Sequence, residues 1–207
     1  MNALDDYCIE HTTPPPWPLH ELERETHLRT LSPQMLSGPL QGQLLHFVCR
    51  MMRPQRVLEI GTFTGYTAIY MALALPEGAT IHTIEVNDEL GWIIRKYAAL
   101  AGVEHKLCLH LGDVADVLPR LHETFDLTFM DAGKMDYLQH YEWALEKTRS
   151  GGFIVADNVL WDGKVVRGET DATTQMLRRF NDLIQNDERV ENLLLPLRDG
   201  LMLIRKL

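Results

Sequence analysis

Oxygen-bearing side chains follow two predicted strands in the second half of the chain. Asp131 ends the apolar segment 125–131, and Asp157 and Asn158 follow the apolar segment 153–156. If these segments are adjacent parallel strands, their carboxyl ends lie at the same edge of a sheet. Two carboxylates and one amide oxygen suit a hard cation such as Mg²⁺, Mn²⁺ or Ca²⁺. The sequence therefore predicts an oxygen-ligated cation site, with a turn cap at Asp157 or Asn158 as the alternative.

A lysine lies close to the first of these acids. Lys134 follows Asp131 by three residues, at the predicted start of a helix, where a positive charge is unfavourable. Desolvation and a neighbouring cation both favour the neutral form of an amine, which makes Lys134 a candidate general base. The alternative is an ordinary surface lysine.

A glycine turn and a later acid indicate a ligand that contains a nucleoside. Gly61 and Gly65 lie where the first predicted strand meets the first crossover helix, and glycine lets the backbone approach a ligand closely. Glu85 ends the next strand, 20 residues after Gly65, where a carboxylate can accept both ribose hydroxyls. The G-x-x-x-G spacing leaves NAD and S-adenosylmethionine both open. A plain turn and a solvated loop acid are the alternatives.

The elements that must position these residues alternate along most of the chain. Helices are predicted at 40–52, 66–75, 89–101, 114–118, 135–148 and 171–185, and strands at 56–60, 80–85, 106–111, 125–131 and 153–156. This alternation predicts a parallel sheet with helices on both faces, wound in both directions. Segments 190–197 and 201–207, joined by Arg198-Asp199-Gly200, predict a hairpin. The predicted fold class is therefore α/β, a doubly wound, mostly parallel Rossmann-like sheet with a C-terminal antiparallel hairpin.

The first 36 residues have a polar and irregular pattern. Four prolines in the run 14–18 exclude a helix there and favour an extended segment, while residues 21–31 fit a short helix. We therefore expect residues 1–36 to form an N-terminal arm packed on a single domain that spans residues 1–207.

Composition and charge limit the class of partner. Apolar residues make up 45% of the 207 residues and charged residues 24%, which is typical of a globular domain. The net charge of −9 gives no general attraction to nucleic acid or anionic lipid, although a local basic patch would still allow tRNA. Cys8, Cys49 and Cys108 have no paired spacing, and no apolar run reaches the roughly 18 residues of a membrane span. A cytoplasmic protein with no membrane partner is expected.

Together these residues resemble the cation-dependent class I O-methyltransferases, a family that includes the catechol and caffeoyl-CoA O-methyltransferases and small bacterial relatives. The resemblance runs from about residue 36 to the C-terminus and is most specific in 57–67, 129–134 and 157–163. The predicted strand pair around residues 198–201 is also similar to the family's ending. The resemblance implies the class I methyltransferase fold, S-adenosylmethionine, a divalent cation, a hydroxylated aromatic acceptor and a homodimer.

Matching positions carry the family's functional residues over to this chain. The resemblance implies that the cofactor is surrounded by Ser37, Glu59, Gly61, Thr62, Thr67, Glu85, Asp113, Val114 and Asp131. It also implies that Asp131, Asp157 and Asn158 hold the cation, that Lys134 is the catalytic base, and that Asp162 lies near the substrate. The expected reaction is methyl transfer from S-adenosylmethionine to a hydroxyl of a catechol-like or caffeoyl-type acceptor.

One position departs from the family pattern. Many relatives have Asp-Ala-Asp-Lys where this chain has Asp131-Ala132-Gly133-Lys134. The missing acid at Gly133 removes a cofactor-side contact, whereas the three expected cation ligands are intact. Catechol enzymes also lack that acid, so its loss is compatible with activity.

Three other functions stay open at this point. A tRNA hydroxyuridine O-methyltransferase would use the same two sites, but the acidic balance of the chain counts against it. The oxygen-ligand trio and the C-terminal hairpin disfavour a nucleotide-dependent oxidoreductase. A domain that binds the cofactor without turnover has only Gly133 in its favour.

Overall fold

Helices and strands alternate through most of the computed structural model, which describes residues 3–207. Within that range the α-helices are α1 Ala3–Glu10, α2 Trp17–Arg29, α3 Gly38–Met52, α4 Tyr66–Ala74, α5 Gly91–Leu100, α6 Val114–Val117, α7 Tyr137–Lys147, α8 Lys164–Arg167 and α9 Ala172–Gln185. The strands are β1 Arg56–Ile60, β2 Thr80–Glu85, β3 Leu107–Leu111, β4 Phe125–Met130, β5 Thr148–Asp157, β6 Val190–Leu195 and β7 Leu201–Lys206. None of the helices within residues 3–207 combines the length and apolar character needed to cross a bilayer.

The described strands form one mixed sheet in the order β3-β2-β1-β4-β5-β7-β6. The β2–β3, β1–β4 and β4–β5 pairs are parallel, and β7 pairs antiparallel with both β5 and β6. The prediction of a doubly wound α/β sheet with a C-terminal antiparallel hairpin is confirmed. Strands β1 and β4 are neighbours although β2 and β3 lie between them in sequence, so their carboxyl ends mark the topological switch point.

Backbone contacts group the described chain into two units. The first unit comprises residues 3–55 and 62–113, and the second comprises residues 56–61 and 114–207. The first contains α1–α5 with the β2–β3 pair, and the second contains the other five strands with α6–α9. The single-domain organisation stays a prediction.

Parallel strands covered on both faces have nearly continuous apolar sequences, and this chain follows that rule. In β1, the four residues after Arg56 are buried, and in β4 only Asp126 is more than slightly exposed. In β4, the polar Asp131 follows the buried run directly, and candidate functional side chains lie at this end of the strands.

The N-terminal segment differs from the sequence prediction. Residues 3–10 form α1 rather than an irregular segment, and α2 begins at Trp17, inside the proline run. Pro18 lies in the first turn of α2, where its missing N–H costs no intrahelical bond. Leu19 and Leu22 of α2 are fully buried, so this part of the predicted arm packs within the first unit. The beginning of the arm, residues 1 and 2, lies outside the described residues.

Helix α3 buries a different side from the one that its apolar pattern indicates. The apolar repeat includes Phe47 and Met51, yet these are 53% and 75% exposed. The buried side instead contains Gly42, and a β-carbon there would lie 2.4 Å from the ring of Tyr70 on α4. Close helix packing through a small residue therefore decides which side of α3 is buried.

Candidate active site

The carboxyl ends of β4 and β5 place two acids side by side. Met130 and Ala156 are register partners in this parallel pair, and Asp131 and Asp157 are the residues that directly follow them. Neighbouring strands are about 4.8 Å apart, so the two acids begin from adjacent backbone positions. Asp157 is only 2% exposed, and its Oδ1 accepts the backbone N–H of Asn158 at 2.7 Å.

The loop that follows β5 has an unusual backbone. Asn158, Trp161 and Asp162 have φ angles of 59°, 49° and 50°, in the left-handed region that non-glycine residues rarely adopt. Asn and Asp tolerate this region better than other residues, whereas a tryptophan there is strained. Such strain persists only where the surrounding structure enforces it, and it is concentrated at functional loops.

The β6–β7 turn supports the loop that follows β5. The sequence predicts the turn itself but not its contact with this loop. The backbone N–H of Leu160 donates to the Asp199 carbonyl at 2.8 Å, and the N–H of Asp162 donates to the Asp199 carboxylate. A β-carbon at Gly200 would lie 2.4 Å from the Leu160 side chain. The turn therefore helps to set the loop's shape. The Asp162 side chain is 90% exposed and lies 3.6 Å from the guanidinium of Arg167.

Lys134 lies beside the first acid in the structure. Its Nζ donates to Asp131 Oδ1 at 2.8 Å and to the Tyr137 hydroxyl at 2.7 Å, and the side chain is 11% exposed. Lys134 is therefore a largely buried amine beside a carboxylate and not an ordinary surface lysine. Tyr137 was not singled out from the sequence, because a tyrosine at a helix start carries no local signal of function.

The phenol of Tyr137 is fully buried at this site. Burial raises the pKa of Tyr137 well above its usual value, and the negative charges of Asp131 and Asp157 raise it further. The group therefore stays protonated at physiological pH and acts as a neutral hydroxyl.

The donor set fits a hard cation. The predicted trio contains two carboxylates and one amide, so all of its donors are oxygens. Among residues 3–207, no group of three His, Cys, Asp or Glu side chains is placed to hold a metal ion. Oxygen donors at two adjacent strand ends match what Mg²⁺ or Mn²⁺ requires.

The glycine turn after β1 lies directly against the Asp131 backbone. Gly61 has φ 96°, and a β-carbon there would lie 2.1 Å from the Asp131 carbonyl oxygen. The Asp131 N–H in turn donates to the Ile60 carbonyl at 2.8 Å. Only glycine permits this approach, so the turn predicted to bind the cofactor and the acid predicted to bind the cation share one backbone contact.

In the first unit, Glu85 organises the residues that follow Gly61. Its Oε2 accepts the Phe63 N–H at 2.6 Å and its Oε1 accepts the Asn87 N–H at 2.9 Å, while the residue is 7% exposed. Phe63 has φ 51°, so this bond supports a left-handed residue. The Thr62 hydroxyl shares a short hydrogen bond with the Thr83 hydroxyl.

The other residues assigned to the cofactor by resemblance are divided between the two units. The first unit contains Ser37 and Thr67, each 5% exposed, and the exposed Asp113. The second unit contains Glu59, which is fully buried on β1, and Val114, which begins α6 and is 9% exposed.

Gly133 leaves open space in the loop between β4 and α7. Its φ of −53° is accessible to any residue, and a β-carbon would meet only an Asp136 carboxylate oxygen, at 3.7 Å. An acid at this position would therefore fit. The acid that many relatives have at this position is therefore not excluded by lack of space in this chain.

Comparisons with known proteins identify the family of the chain. A family model described as O-methyltransferase matches residues 10–207. The catechol O-methyltransferase of Niastella koreensis is 34% identical over 170 residues, which cover 80% of this chain and 77% of that protein. The caffeoyl-CoA O-methyltransferase of Stellaria longipes is 30% identical over 200 residues, which cover 91% of this chain and 83% of that protein.

Solved structures show the same similarity over nearly the whole chain. The O-methyltransferase TomG of Streptomyces achromogenes, in complex with S-adenosylmethionine, has a TM-score of 0.92 and 32% identity, covering 99% of this chain and 96% of that chain. An O-methyltransferase of Bacillus cereus, in complex with S-adenosylhomocysteine, has a TM-score of 0.91 and 28% identity, covering 100% and 98%. The predicted family resemblance is confirmed: the chain belongs to the O-methyltransferase family.

Proposed function

We propose that this chain transfers the methyl group of S-adenosylmethionine to a hydroxyl of a catechol-like or caffeoyl-type acceptor, with a divalent cation at Asp131, Asp157 and Asn158. One observation carries the proposal. Asp131 and Asp157 follow paired residues at the ends of two neighbouring parallel strands, and the Lys134 amine lies 2.8 Å from the Asp131 carboxylate. The names of the catechol and caffeoyl-CoA relatives favour a small aromatic acceptor over the tRNA alternative.

The cofactor assignment rests on the bound forms of two similar structures and on Glu85. TomG and the Bacillus cereus enzyme carry S-adenosylmethionine and S-adenosylhomocysteine. A carboxylate offers about four acceptor positions, and Glu85 uses two for backbone N–H groups, so two stay available for ribose hydroxyls. The bound cofactor would supply an electrophilic methyl group, so the protein's main task is to place an oxygen in line with it.

The cation ligands would act on the acceptor oxygens. A divalent cation bound there would lower the pKa of two neighbouring hydroxyls and stabilise the oxyanion formed before transfer. The two carboxylates and the Asn158 amide leave positions on such an ion free for the acceptor. Asp162, in the strained loop after Asn158, is proposed to lie near the acceptor.

Lys134 is proposed to take the proton from the attacking hydroxyl. In the structure its Nζ donates to two partners, and in its neutral form the same nitrogen has a lone pair that can accept a proton. Its low exposure limits exchange of that proton with bulk water.

Chelation provides the main test of this function. The purified chain is assayed with labelled S-adenosylmethionine and a catechol, before and after metal removal verified by elemental analysis. We expect transfer to stop on removal and to return with Mg²⁺ or Mn²⁺, and Asp157→Ala to be inactive and poorly rescued by added metal. Asp182→Ala removes an exposed acid on α9 and should behave as the parent. Full activity with no bound metal would contradict the cation-dependent mechanism.

The acceptor class is tested with positional isomers. Ortho-dihydroxybenzenes can chelate a cation through both oxygens, whereas meta-dihydroxybenzenes cannot, so the ortho isomers should react much faster. A parallel assay with undermodified tRNA tests the alternative. Methylation of tRNA but of no small diol would replace the proposed acceptor.

We also propose that residues 1–207 act as one domain and that two chains form a homodimer. The family match over residues 10–207 supports the first of these, and the second follows from the resemblance alone. Light scattering after size exclusion, over a range of protein concentrations, tests the dimer, and a mass of one chain throughout would exclude it.

A further inference from the structure

The Tyr137 hydroxyl lies where three parts of the candidate active site meet. Its oxygen is 2.7 Å from Lys134 Nζ, 2.7 Å from the Asp157 carbonyl oxygen and 3.2 Å from the Met130 carbonyl oxygen. It therefore contacts the end of β4, the end of β5 and the loop between β4 and α7. The residue is completely buried.

The chemistry of these partners fixes the direction of each hydrogen bond. A hydroxyl has one proton to donate, and backbone carbonyls can only accept. The proton therefore goes to the carbonyls, and the shorter distance assigns it mainly to Asp157. The hydroxyl oxygen is then left as an acceptor, and Lys134 is the group that donates to it.

The contacts of Lys134 show what the Tyr137 oxygen contributes by accepting this hydrogen bond. The Lys134 Nζ donates hydrogen bonds to Asp131 Oδ1 and to the Tyr137 oxygen, and it also lies 4.5 Å from the centre of the Tyr137 ring. A lysine side chain loses rotamer freedom when its amine is held, so one partner alone holds the amine less well than two. Tyr137 also gives the amine a partner that remains when Asp131 binds something else.

The ring of Tyr137 is itself held in place. It packs edge-on against Phe180 of α9, with ring centres 5.3 Å apart. With the ring buried and the hydroxyl proton bonded to β5, the oxygen cannot follow a moving lysine. It is a fixed point against which the amine is positioned.

We propose that Tyr137 is a positioning residue for methyl transfer, whose hydroxyl oxygen holds the Lys134 amine at the ends of β4 and β5. The inference rests on the proposed role of Lys134 as the base. It adds a residue that acts through the Lys134 amine.

Helix α7 supplies a matched control one turn later. Tyr141 is also fully buried and also packs edge-on against Phe180, at 6.0 Å, but its hydroxyl donates to Asp187 at 2.8 Å. Tyr137→Phe and Tyr141→Phe each remove one buried, bonded hydroxyl from the same helix. Both should lower the melting temperature, and only the first should affect catalysis.

The test is a double-mutant cycle measured as kcat under conditions where chemistry limits the rate. We expect Tyr137→Phe to lower kcat about tenfold, the value of one lost hydrogen bond of ordinary strength, with KM for S-adenosylmethionine within twofold of the parent. In a Lys134→Ala background the same change should alter kcat less than twofold, because the residue it acts through is gone. Tyr141→Phe should leave kcat unchanged.

Each other outcome of the cycle has a defined meaning. An equal loss in both backgrounds would show a general distortion of the strand ends and overturn the inference. Loss in Lys134→Ala with none in Tyr137→Phe would overturn the inference but keep Lys134 as the base. Full kcat in Lys134→Ala would overturn the proposed base and this inference with it.

A second measurement follows the amine itself. Acylation of Lys134, read by mass spectrometry, is compared between the Tyr137→Phe protein and the Tyr141→Phe control. If the Tyr137 hydroxyl holds the amine, Lys134 should react faster in Tyr137→Phe and at the parental rate in Tyr141→Phe. Equal rates in the two variants would overturn the inference.

Discussion

Replacing Glu85 should weaken both the fold and cofactor binding, and the structure lets the two effects be separated. The residue is nearly buried at the end of β2, and its two carboxylate oxygens accept the N–H groups of Phe63 and Asn87. The sequence alone places Glu85 at a strand end, where a substitution is expected to leave the fold intact. The structure shows instead that Glu85→Ala leaves two backbone donors without an acceptor.

The magnitude follows from these contacts. An unsatisfied buried donor costs about 1–3 kcal/mol, and both donors are close to the surface, so we expect Glu85→Ala to lose about 2–4 kcal/mol of unfolding free energy. Glu85→Gln keeps one acceptor oxygen and should lose about half as much. Loss of the charged acceptor for the ribose should weaken S-adenosylhomocysteine binding by about 1.5–3 kcal/mol, or roughly 10- to 150-fold.

Calorimetric titration and urea unfolding of the same samples measure the two effects. A 2′-deoxyribose analogue of S-adenosylhomocysteine should lose less affinity than the parent ligand on substitution, because it lacks one of the hydroxyls. Glu77→Ala, an exposed acid in the same unit, is the matched control and should change neither quantity. If folded Glu85→Ala binds S-adenosylhomocysteine as tightly as the parent, the ribose assignment is wrong.

Three further outcomes follow from single contacts. Gly61→Ala should lose about 2–4 kcal/mol of stability in urea unfolding, because its φ is 96° and its β-carbon would overlap the Asp131 carbonyl oxygen; an unchanged midpoint would show that the turn can relax. Burial raises the pKa of the Cys49 thiol to about 12, so it should resist thiol reagents at pH 8 in the native protein while the partly exposed Cys8 reacts, as read by mass spectrometry. Hydrogen bonds from the Arg189 side chain lower the pKa of Asp187 to about 2, so its ionised form stabilises the fold above about pH 4 and this stability is lost as pH falls towards 2. Asp187→Asn should therefore be less stable than the parent at pH 7, and the difference should shrink between pH 4 and pH 2; a constant difference would contradict the shift.

The strand ends that carry the site could be predicted from the sequence for a physical reason. A parallel strand covered on both faces is an apolar run, and the first polar residue after the run marks its carboxyl end. Strand β2 begins and ends at the predicted Thr80 and Glu85, and Asp131 and Asp157 lie at the ends of β4 and β5. Local pattern is sufficient here because the apolar run itself indicates where the strand ends, without knowledge of its neighbours.

Features that depend on packing between elements could not be predicted in the same way. The buried side of α3 is set by the fit of Gly42 against Tyr70, and a count of apolar residues favours the opposite side. Tyr137 and Tyr141 look alike in sequence, four residues apart on one helix, yet only the first contacts Lys134. The difference arises from where the start of α7 lies relative to the ends of β4 and β5, which is a tertiary property.

The contact at the switch point changes how the glycine turn is interpreted. From the sequence, Gly61 is explained by close approach of the backbone to a ligand. In the structure the atom that excludes a β-carbon belongs to the protein, because the Asp131 carbonyl oxygen occupies that space. The backbone bond from Asp131 to Ile60 joins the same two segments, so the turn and the acid cannot move independently. The conformation of Gly61 therefore constrains the proposed cation ligand, even if no cofactor atom touches that glycine.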